Sequence, residues 1–225
     1  MASRWQGPGR GAGAARRPVL HDDLEPLELD GFEDDDGFRD RAITGFAVAA
    51  DAERVELVRC TVSTMRIIAA RLRRLHMTDV RLVDCDLSQA VFEEASFDRV
   101  ELIRCRLSEA DLGGARLVDV RFVECQLDGA AFRLVEAARL EIEHSTAPGL
   151  DLYRARVPGA RVTDADLTGA DLSGADLARA RLHGSRLVDV RGATALRGAS
   201  IDAEQVVDAG LAVLADLGVA VTERE

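Results

Sequence analysis

VRLVDC at 80–85, VELIRC at 100–105 and VRFVEC at 120–125 are one line of sequence written three times, 20 residues apart. A period of five lies beneath it. In an unbroken frame the middle residues are Leu82, Leu87, Phe92, Phe97, Leu102, Leu107, Leu112, Leu117, Phe122, Leu127 and Phe132. The frame resumes at Leu152 and runs on through Leu167, Leu172, Leu177 and Leu182 to Leu187. Two positions before each middle stands a small or branched apolar residue, as in Val80, Cys85, Ala90, Ala95, Val100 and Cys105. In an extended segment residues i−2 and i point to one side and i−1 to the other. Residues i+1 and i+2, often Gly, Asp, Ser or Thr, are left to turn a corner. Each pentapeptide is then one short side plus one corner, and a superperiod of 20 closes four sides. Such internal periodicity signals a solenoid. From 55 to 189 the frame gives 27 pentapeptides, almost seven coils, and a rod roughly 32 Å long at the usual inter-strand spacing.

Composition agrees with a narrow, repetitive interior. The chain of 225 residues has one Trp and one Tyr, and its apolar residues are mostly Ala, Leu and Val. All 29 basic residues are Arg. The net charge of −11 is concentrated at the ends: residues 21–40 hold ten acids and one Arg, while 41–199 hold 24 acids and 23 Arg. Net charge bears on partners and solubility and leaves the fold undetermined. No apolar run approaches the roughly 18–20 residues of a membrane span. The N-terminus lacks the apolar core of a secretory signal, so the four cysteines are expected to be reduced thiols in a cytoplasmic protein. Three segments follow: a flexible tail with an acidic arm over 1–40, the repeat rod over 41–200, and a helical cap over 201–225. Within the arm, Leu24, Leu27, Leu29 and Phe32 are positioned to dock on the first coil. In the cap, Asp202 and Gln205 fit a capping box. Val206, Gly210, Val213, Leu214 and Leu217 recur at helical spacing, and Gly218 suits the C′ position.

The segment ARVTDADLTGADLSGADLARARL at 160–182 resembles the A(D/N)LXX consensus of the pentapeptide-repeat family. The resemblance extends over about residues 41–201. It implies an all-β fold, a right-handed quadrilateral β-helix, here with a C-terminal capping α-helix. Some members of that family bind DNA gyrase by imitating DNA, and in those relatives a C-terminal helix is also the dimer contact. On that ground Val206, Val213, Leu214 and Leu217 are candidate dimer residues. The pattern departs in two places. VELVRC at 55–60 precedes VRLVDC by 25 residues instead of 20, which implies an extra pentapeptide or a bulge between 60 and 80. At 133–149 the middles weaken to Ala137 and Ala147. Pro148 and Pro158 fall on corners, where a lost backbone donor is expected to cost ladder bonds or bend the strand.

Candidate chemistry is sparse. Cys85, Cys105 and Cys125 form a straight inward column, unlike the converging ligands of a metal site. His21, His76, His144 and His183 are scattered, and no GxSxG, phosphate loop or HExxH is present. Neither catalysis nor a metal or cofactor is expected. Alternating signs at Arg81, Glu101, Arg121 and Glu141 read as a solvated ladder that fixes register. Val83, Ile103 and Val123 form an outward apolar strip suited to a partner. The expected function is a non-catalytic protein-interaction or scaffold module with a protein partner, and a homodimer through the helix. No membrane and no direct nucleic-acid binding are expected. The alternative is a DNA mimic that binds gyrase or another topoisomerase and confers fluoroquinolone tolerance. Mimicry requires sustained negative charge along a wall, because duplex DNA carries a charge about every 1.7 Å.

Overall fold

The computed structural model describes residues 13–45 and 51–221. Its strands are β1 (Glu25–Glu28), β2 (Gly37–Arg39), β3 (Arg41–Thr44), β4 (Ala52–Glu53), β5 (Glu56–Ser63), β6 (Leu72–Arg73), β7 (His76–Val83), β8 (Ser96–Ile103), β9 (Arg116–Val123), β10 (Glu136–Glu143) and β11 (Arg161–Thr163). Two 3-10 turns, Ala193–Leu196 and Ala203–Gln205, lead to one helix, α1 (Val206–Asp216). From β5 onward the paired residues are parallel and 20 apart, as in Glu56↔His76, Ser96↔Arg116 and Glu141↔Arg161, until the last bridge, Arg181↔Ser200, at 19. Isolated bridges such as Arg66↔Asp86 and Arg71↔Val91 carry the same step along the other walls. The result is a parallel β-solenoid of about seven turns. Its first wall carries Leu82, Leu102, Phe122 and Leu182 inward. The second carries Leu87, Leu107, Leu127 and Leu167, the third Phe92, Leu112, Phe132 and Leu172, and the fourth Phe97, Leu117 and Leu177. All of these side chains are buried. Two interior voids of only about 20 Å³ each, lined by apolar side chains, remain between them.

Corners follow a strict rule. At every fifth residue from Arg54 to Asp189 the backbone is left-handed, with φ between 49° and 72°. The eight-residue strands therefore run through a corner, as β8 does at Arg99 (φ 54°). For a residue with a Cβ this conformation costs about 1–2 kcal/mol. The corner amide recovers part of that by bonding to the next coil, as Asp84 N–H does to Ile103 O at 3.0 Å. The Asp of the ADL motif has its own task. From position i−1 its carboxylate accepts the N–H of residue i+1: Ser88 on Asp86 (3.2 Å), Gly113 on Asp111 (2.7 Å), Thr168 on Asp166 (3.0 Å) and Ser173 on Asp171 (2.9 Å). This is the Asx-turn bond that favours Asp before a turn.

The same rule resolves the two irregular places, and both expectations about them are corrected. Pro148 and Pro158 occupy i+1, ahead of left-handed Gly149 and Gly159, the Pro-Gly order of a type II turn. The ladder does not use the i+1 amide there, and its bonds continue without a bend: Gly129 N to Pro148 O at 2.9 Å and Gly149 N to Thr168 O at 2.8 Å. Nor is a pentapeptide inserted between 60 and 80. Cys60 pairs with Val80, and Cys85 lies in a different column. The frame ends at Gly192, where φ is 68° and a Cβ would lie 2.3 Å from Ser173 N.

The N-terminal end differs from expectation. The acidic arm is the start of the rod. β1 pairs with β3 at a step of 16, β2 and β3 pair with β5 at 19, and Phe32 is buried with its ring 6.0 Å from that of Phe38. The acids are used at its corners: Asp35 binds Arg54 at 2.5 and 2.8 Å, and Asp40 binds Arg59 at 2.6 and 2.7 Å. These guanidinium bonds hold both carboxyls below their ordinary range. Residues 13–20, expected to belong to a flexible tail, lie along the rod; residues 1–12 of that tail fall outside the described residues. At the other end α1 buries Ala209 and Ala212, while Val206 and Leu217 are exposed. Small side chains let the helix approach the last coil; Val213 packs against the core, while Val206, Val207 and Leu211 face away.

Candidate functional site

The cysteine column is an interior device. Met65, Cys85, Cys105, Cys125, Ser145, Ala165 and Ser185 stack at steps of 20. Each thiol donates to the carbonyl two residues before it and to the middle carbonyl of the coil above. Cys85 Sγ is 3.4 Å from Val83 O and 3.5 Å from Val62 O, and Cys125 Sγ is 3.5 Å from Val123 O and 3.4 Å from Leu102 O. Ser185 Oγ repeats this on Val162 O and His183 O. Gln205, next in the series, belongs to the cap. Its buried amide donates to Leu182 O at 2.6 Å and to Ser185 O, while its Oε1 accepts Asp202 N–H at 2.6 Å. The expected capping box of Asp202 and Gln205 is thus present, and Gln205 also closes the column. The bond to Cys125, followed by burial, pushes the Cys105 thiol up to about 12, and burial also raises Cys60. Such thiols are poor nucleophiles.

One histidine meets a hydroxyl: Nε2 of His183 lies 3.1 Å from Ser200 Oγ. Nδ1 of His144 lies 3.5 Å from Asp164, Nδ1 of His183 lies 3.4 Å from Asp202, and Nδ1 of His76 lies 2.7 Å from Arg74 O. Among the described residues no group of three His, Cys, Asp or Glu is placed to hold a metal ion.

The expected charge ladder on the first wall is continuous, but it is not solvated. Glu101 is bonded by Arg81 (2.9 Å) and by Arg121; Glu141 is bonded by Arg121 (3.0 Å) and approached by Arg161 (3.5 Å); Arg121 also reaches Glu143 (2.9 Å). Glu101, Arg121 and Glu141 are buried. Beside this ladder Val83, Ile103 and Val123 stack in register, half-buried and facing outward.

The corner between the fourth and first walls carries a second ladder, Asp79, Arg99, Asp119 and Arg139. Arg99 clamps Asp79 at 2.6 and 2.8 Å, and Arg139 clamps Asp119, with the second bond at 2.7 Å. Residues 13–20 run along this corner as a strap, crossing the coils towards the N-terminal end of the rod. Ala15 N–H donates to Glu141 Oε1 (2.9 Å), Arg16 N–H to Asp119 Oδ1 (3.0 Å), Arg16 Nε to Asp119 Oδ2 (2.8 Å), and Val19 N–H to Asp79 Oδ1 (2.9 Å). Asp119 has no exposed side-chain surface. Burial alone would raise its carboxyl, but the bonds from Arg139 and Arg16 outweigh it and hold the group at about 2. The strap was not foreseen. It has no periodicity, and it binds mainly through main-chain N–H groups.

At the C-terminal end, six of the nine exposed large hydrophobic residues among the described residues lie in 206–221: Val206, Val207, Leu211, Leu217, Val219 and Val221. Of the candidate dimer residues, Val206 and Leu217 are exposed, Leu214 is half-buried, and Val213 packs against the core. Asp216 accepts the N–H groups of Gly192 and Thr194, both at 3.1 Å, and so holds α1 against the last coil. No helix among the described residues is long and apolar enough to cross a membrane.

Comparison with known proteins supports the fold. Residues 75–152 match the model of a pentapeptide repeat region, and residues 149–191 match that of pentapeptide repeats in eight copies. Among solved structures, full-length QnrB1, a plasmid-mediated fluoroquinolone resistance protein, is 18% identical. Coverage is 81% of this chain and 100% of that one, and the TM-score is 0.35. HetL, involved in heterocyst differentiation regulation in the cyanobacterium Nostoc sp. strain PCC 7120, is 21% identical over 74% of this chain and 87% of its own, at 0.28. Rfr23, from the cyanobacterium Cyanothece 51142, is 18% identical over 61% and 88%, at 0.26. Likenesses at this level carry no argument about role. A search of the curated proteins finds no match. The two family models overlap at 149–152 and together span more than half of the sequence, on the residues whose five-fold frame builds the four walls, and this chain belongs to the pentapeptide-repeat family.

Proposed function

We propose that this chain is a non-catalytic protein-interaction module that associates through the outer face of its C-terminal helix. The observation that carries this reading is the clustering of exposed large apolar side chains on and beside α1, in a protein whose interior is filled. Exposed apolar patches of this kind mark contact sites on soluble proteins. Val207, Leu211 and Leu214 follow the i, i+4, i+7 spacing of one helical stripe, and a second copy presenting the same stripe satisfies both in an isologous pair.

The charge pattern favours this reading over imitation of DNA at gyrase. A mimic needs one wall of continuous negative charge. Here the first wall alternates Arg81, Glu101, Arg121, Glu141 and Arg161, and the second sets Arg66, Arg106 and Arg186 among Asp86, Asp128 and Asp166. Those arginines would meet a DNA-binding surface that is itself basic, at a cost in binding energy.

Sedimentation of the full chain provides the test. The wild type is expected to be a dimer at micromolar concentration and Leu211→Glu a monomer with an unchanged circular dichroism spectrum. A wild type that stays monomeric at high micromolar concentration removes the proposed surface. Tight, salt-sensitive inhibition of gyrase supercoiling, retained after Leu211→Glu, would establish the rival reading.

A further inference from the structure

The strap is a ligand in all but covalent attachment, and its contacts define what the corner beneath it recognises. Three carboxylates on different coils, Asp79, Asp119 and Glu141, accept three main-chain N–H groups from one extended segment. Asp119 also takes the guanidinium of Arg16, with Nη2 at 2.7 Å from Oδ2. All three acceptors are fixed before the strap arrives, because each is bonded to an arginine of the rod: Asp79 to Arg99, Asp119 to Arg139 and Glu141 to Arg121. A carboxylate held in place by a neighbouring cation, with a lone pair left over, is a preorganised acceptor for an incoming donor. The regular rise of the coils repeats such acceptors along the rod axis.

Side-chain identity contributes little beyond Arg16. Val19 is 64% exposed and Arg17 faces solvent, while Ala15 is buried. What the corner reads is an extended backbone with one arginine following a small residue. The hold is polar and partly wet, with the Arg16 side chain 61% exposed, and bonds of this type add little net stability each. Beyond Val19 the strap parts from the first wall, leaving a crevice lined by Pro18, Leu20, His21, Thr61 and Arg81. A competing segment has room to enter there.

We propose that this corner is a recognition groove for an extended, arginine-bearing segment of a partner protein, and that residues 13–20 are an internal occupant which such a segment displaces. The tether gives the strap a high effective concentration, so a free peptide of the same sequence competes poorly with it in the intact chain. Release of the strap uncovers the groove.

The test uses the full chain and a fluorescein-labelled peptide with the sequence of residues 11–22, followed by fluorescence anisotropy. In the chain, Arg16→Glu sets a carboxylate against Asp119 and frees the strap without altering the walls. The peptide is expected to bind the Arg16→Glu chain at least tenfold more tightly than the wild type. Val19→Pro, which deletes the donor to Asp79 without changing charge, shifts binding in the same direction and serves if Arg16→Glu folds poorly. On either opened chain, a peptide carrying Arg16→Ala is expected to bind at least tenfold more weakly than the parent peptide. Equal binding to wild-type and opened chains overturns the proposal, and so does indifference to the peptide's arginine. Wild-type dimers that form by exchanging straps would assign the groove to a second copy, and they too would overturn it.

Discussion

Arg121→Met is the most informative single change in this rod. The guanidinium is 11% exposed and sits between Glu101 and Glu141, at 5% and 4%, on the coils on either side. Its removal leaves two buried carboxylates facing an apolar thioether. Breaking a buried ion pair by deleting one partner costs about 3–5 kcal/mol. Here each glutamate keeps a second arginine, Arg81 at 2.9 Å and Arg161 at 3.5 Å, and Glu141 keeps the Ala15 amide. The lower end, about 3 kcal/mol, is therefore expected, which for a chain of this size is a drop in Tm of roughly 6–12 °C. Thermal unfolding followed by circular dichroism reads it directly. Arg161→Met is the control: that side chain is 35% exposed at the end of the ladder, so about 1 kcal/mol or less is at stake. The triple replacement Glu101→Leu, Arg121→Met, Glu141→Leu should regain most of the loss, since apolar groups of similar volume replace a buried network at little cost. An Arg121→Met protein that melts within about 2 °C of the wild type, or no lower than Arg161→Met, would refute the claim that this ladder is a buried network.

Three further outcomes are expected. Asp119 has its folded pKa lowered to about 2 from the ordinary 3.8, so its contribution of about 2 kcal/mol is complete above roughly pH 4 and disappears as pH falls towards 2; urea midpoints measured across that window should fall less in Asp119→Asn than in the wild type. Leu134 occupies a left-handed corner (φ 58°) at 56% exposure, and Leu134→Gly should stabilise by up to about 1 kcal/mol because the strain it relieves exceeds the apolar contact it gives up; lower stability in chemical denaturation would contradict this. The four buried cysteines should label slowly with a thiol reagent in native buffer and at once in denaturant; rapid stoichiometric labelling of the native protein would put the thiol column outside the rod.

Much of the rod was legible because its rules are local. Leu112 or Phe122 points inward for reasons contained in five residues, and the coil closes for reasons contained in 20. The misreading at 55–60 shows where local resemblance fails. VELVRC and VRLVDC look alike, yet an inward column asks only for a small or apolar residue, so similar hexamers stand on different walls and the frame itself sets the register. Pro148 and Pro158 were misjudged because the sequence does not reveal which corner amide the ladder leaves unused. The strap was invisible for a different reason. Its bonds use the N–H groups of Ala15, Arg16 and Val19, which every residue but proline possesses, and no side-chain pattern reports them. The burial of Glu101, Arg121 and Glu141 could not be read from a pattern of alternating charge either, because alternation looks the same whether or not water reaches it. On α1 the helical spacing of Val206, Val213, Leu214 and Leu217 did not reveal that close approach to the last coil selects Ala209 and Ala212.

A stack in which each coil touches only its neighbours should open like a zipper when its ends are pulled apart, one coil after another, each release a small event of similar size. The strap changes that mechanical picture. It joins the coil of Asp79 to those of Asp119 and Glu141, whereas the ladder links β7 to β9 only through β8. Tension applied at the N-terminus first loads the bonds of Ala15 and Arg16, and the coils behind them share the load until those bonds fail. Extended in an optical trap, the rod should therefore resist and then yield several coils in one step, whereas a variant with its strap released should give way in a regular staircase.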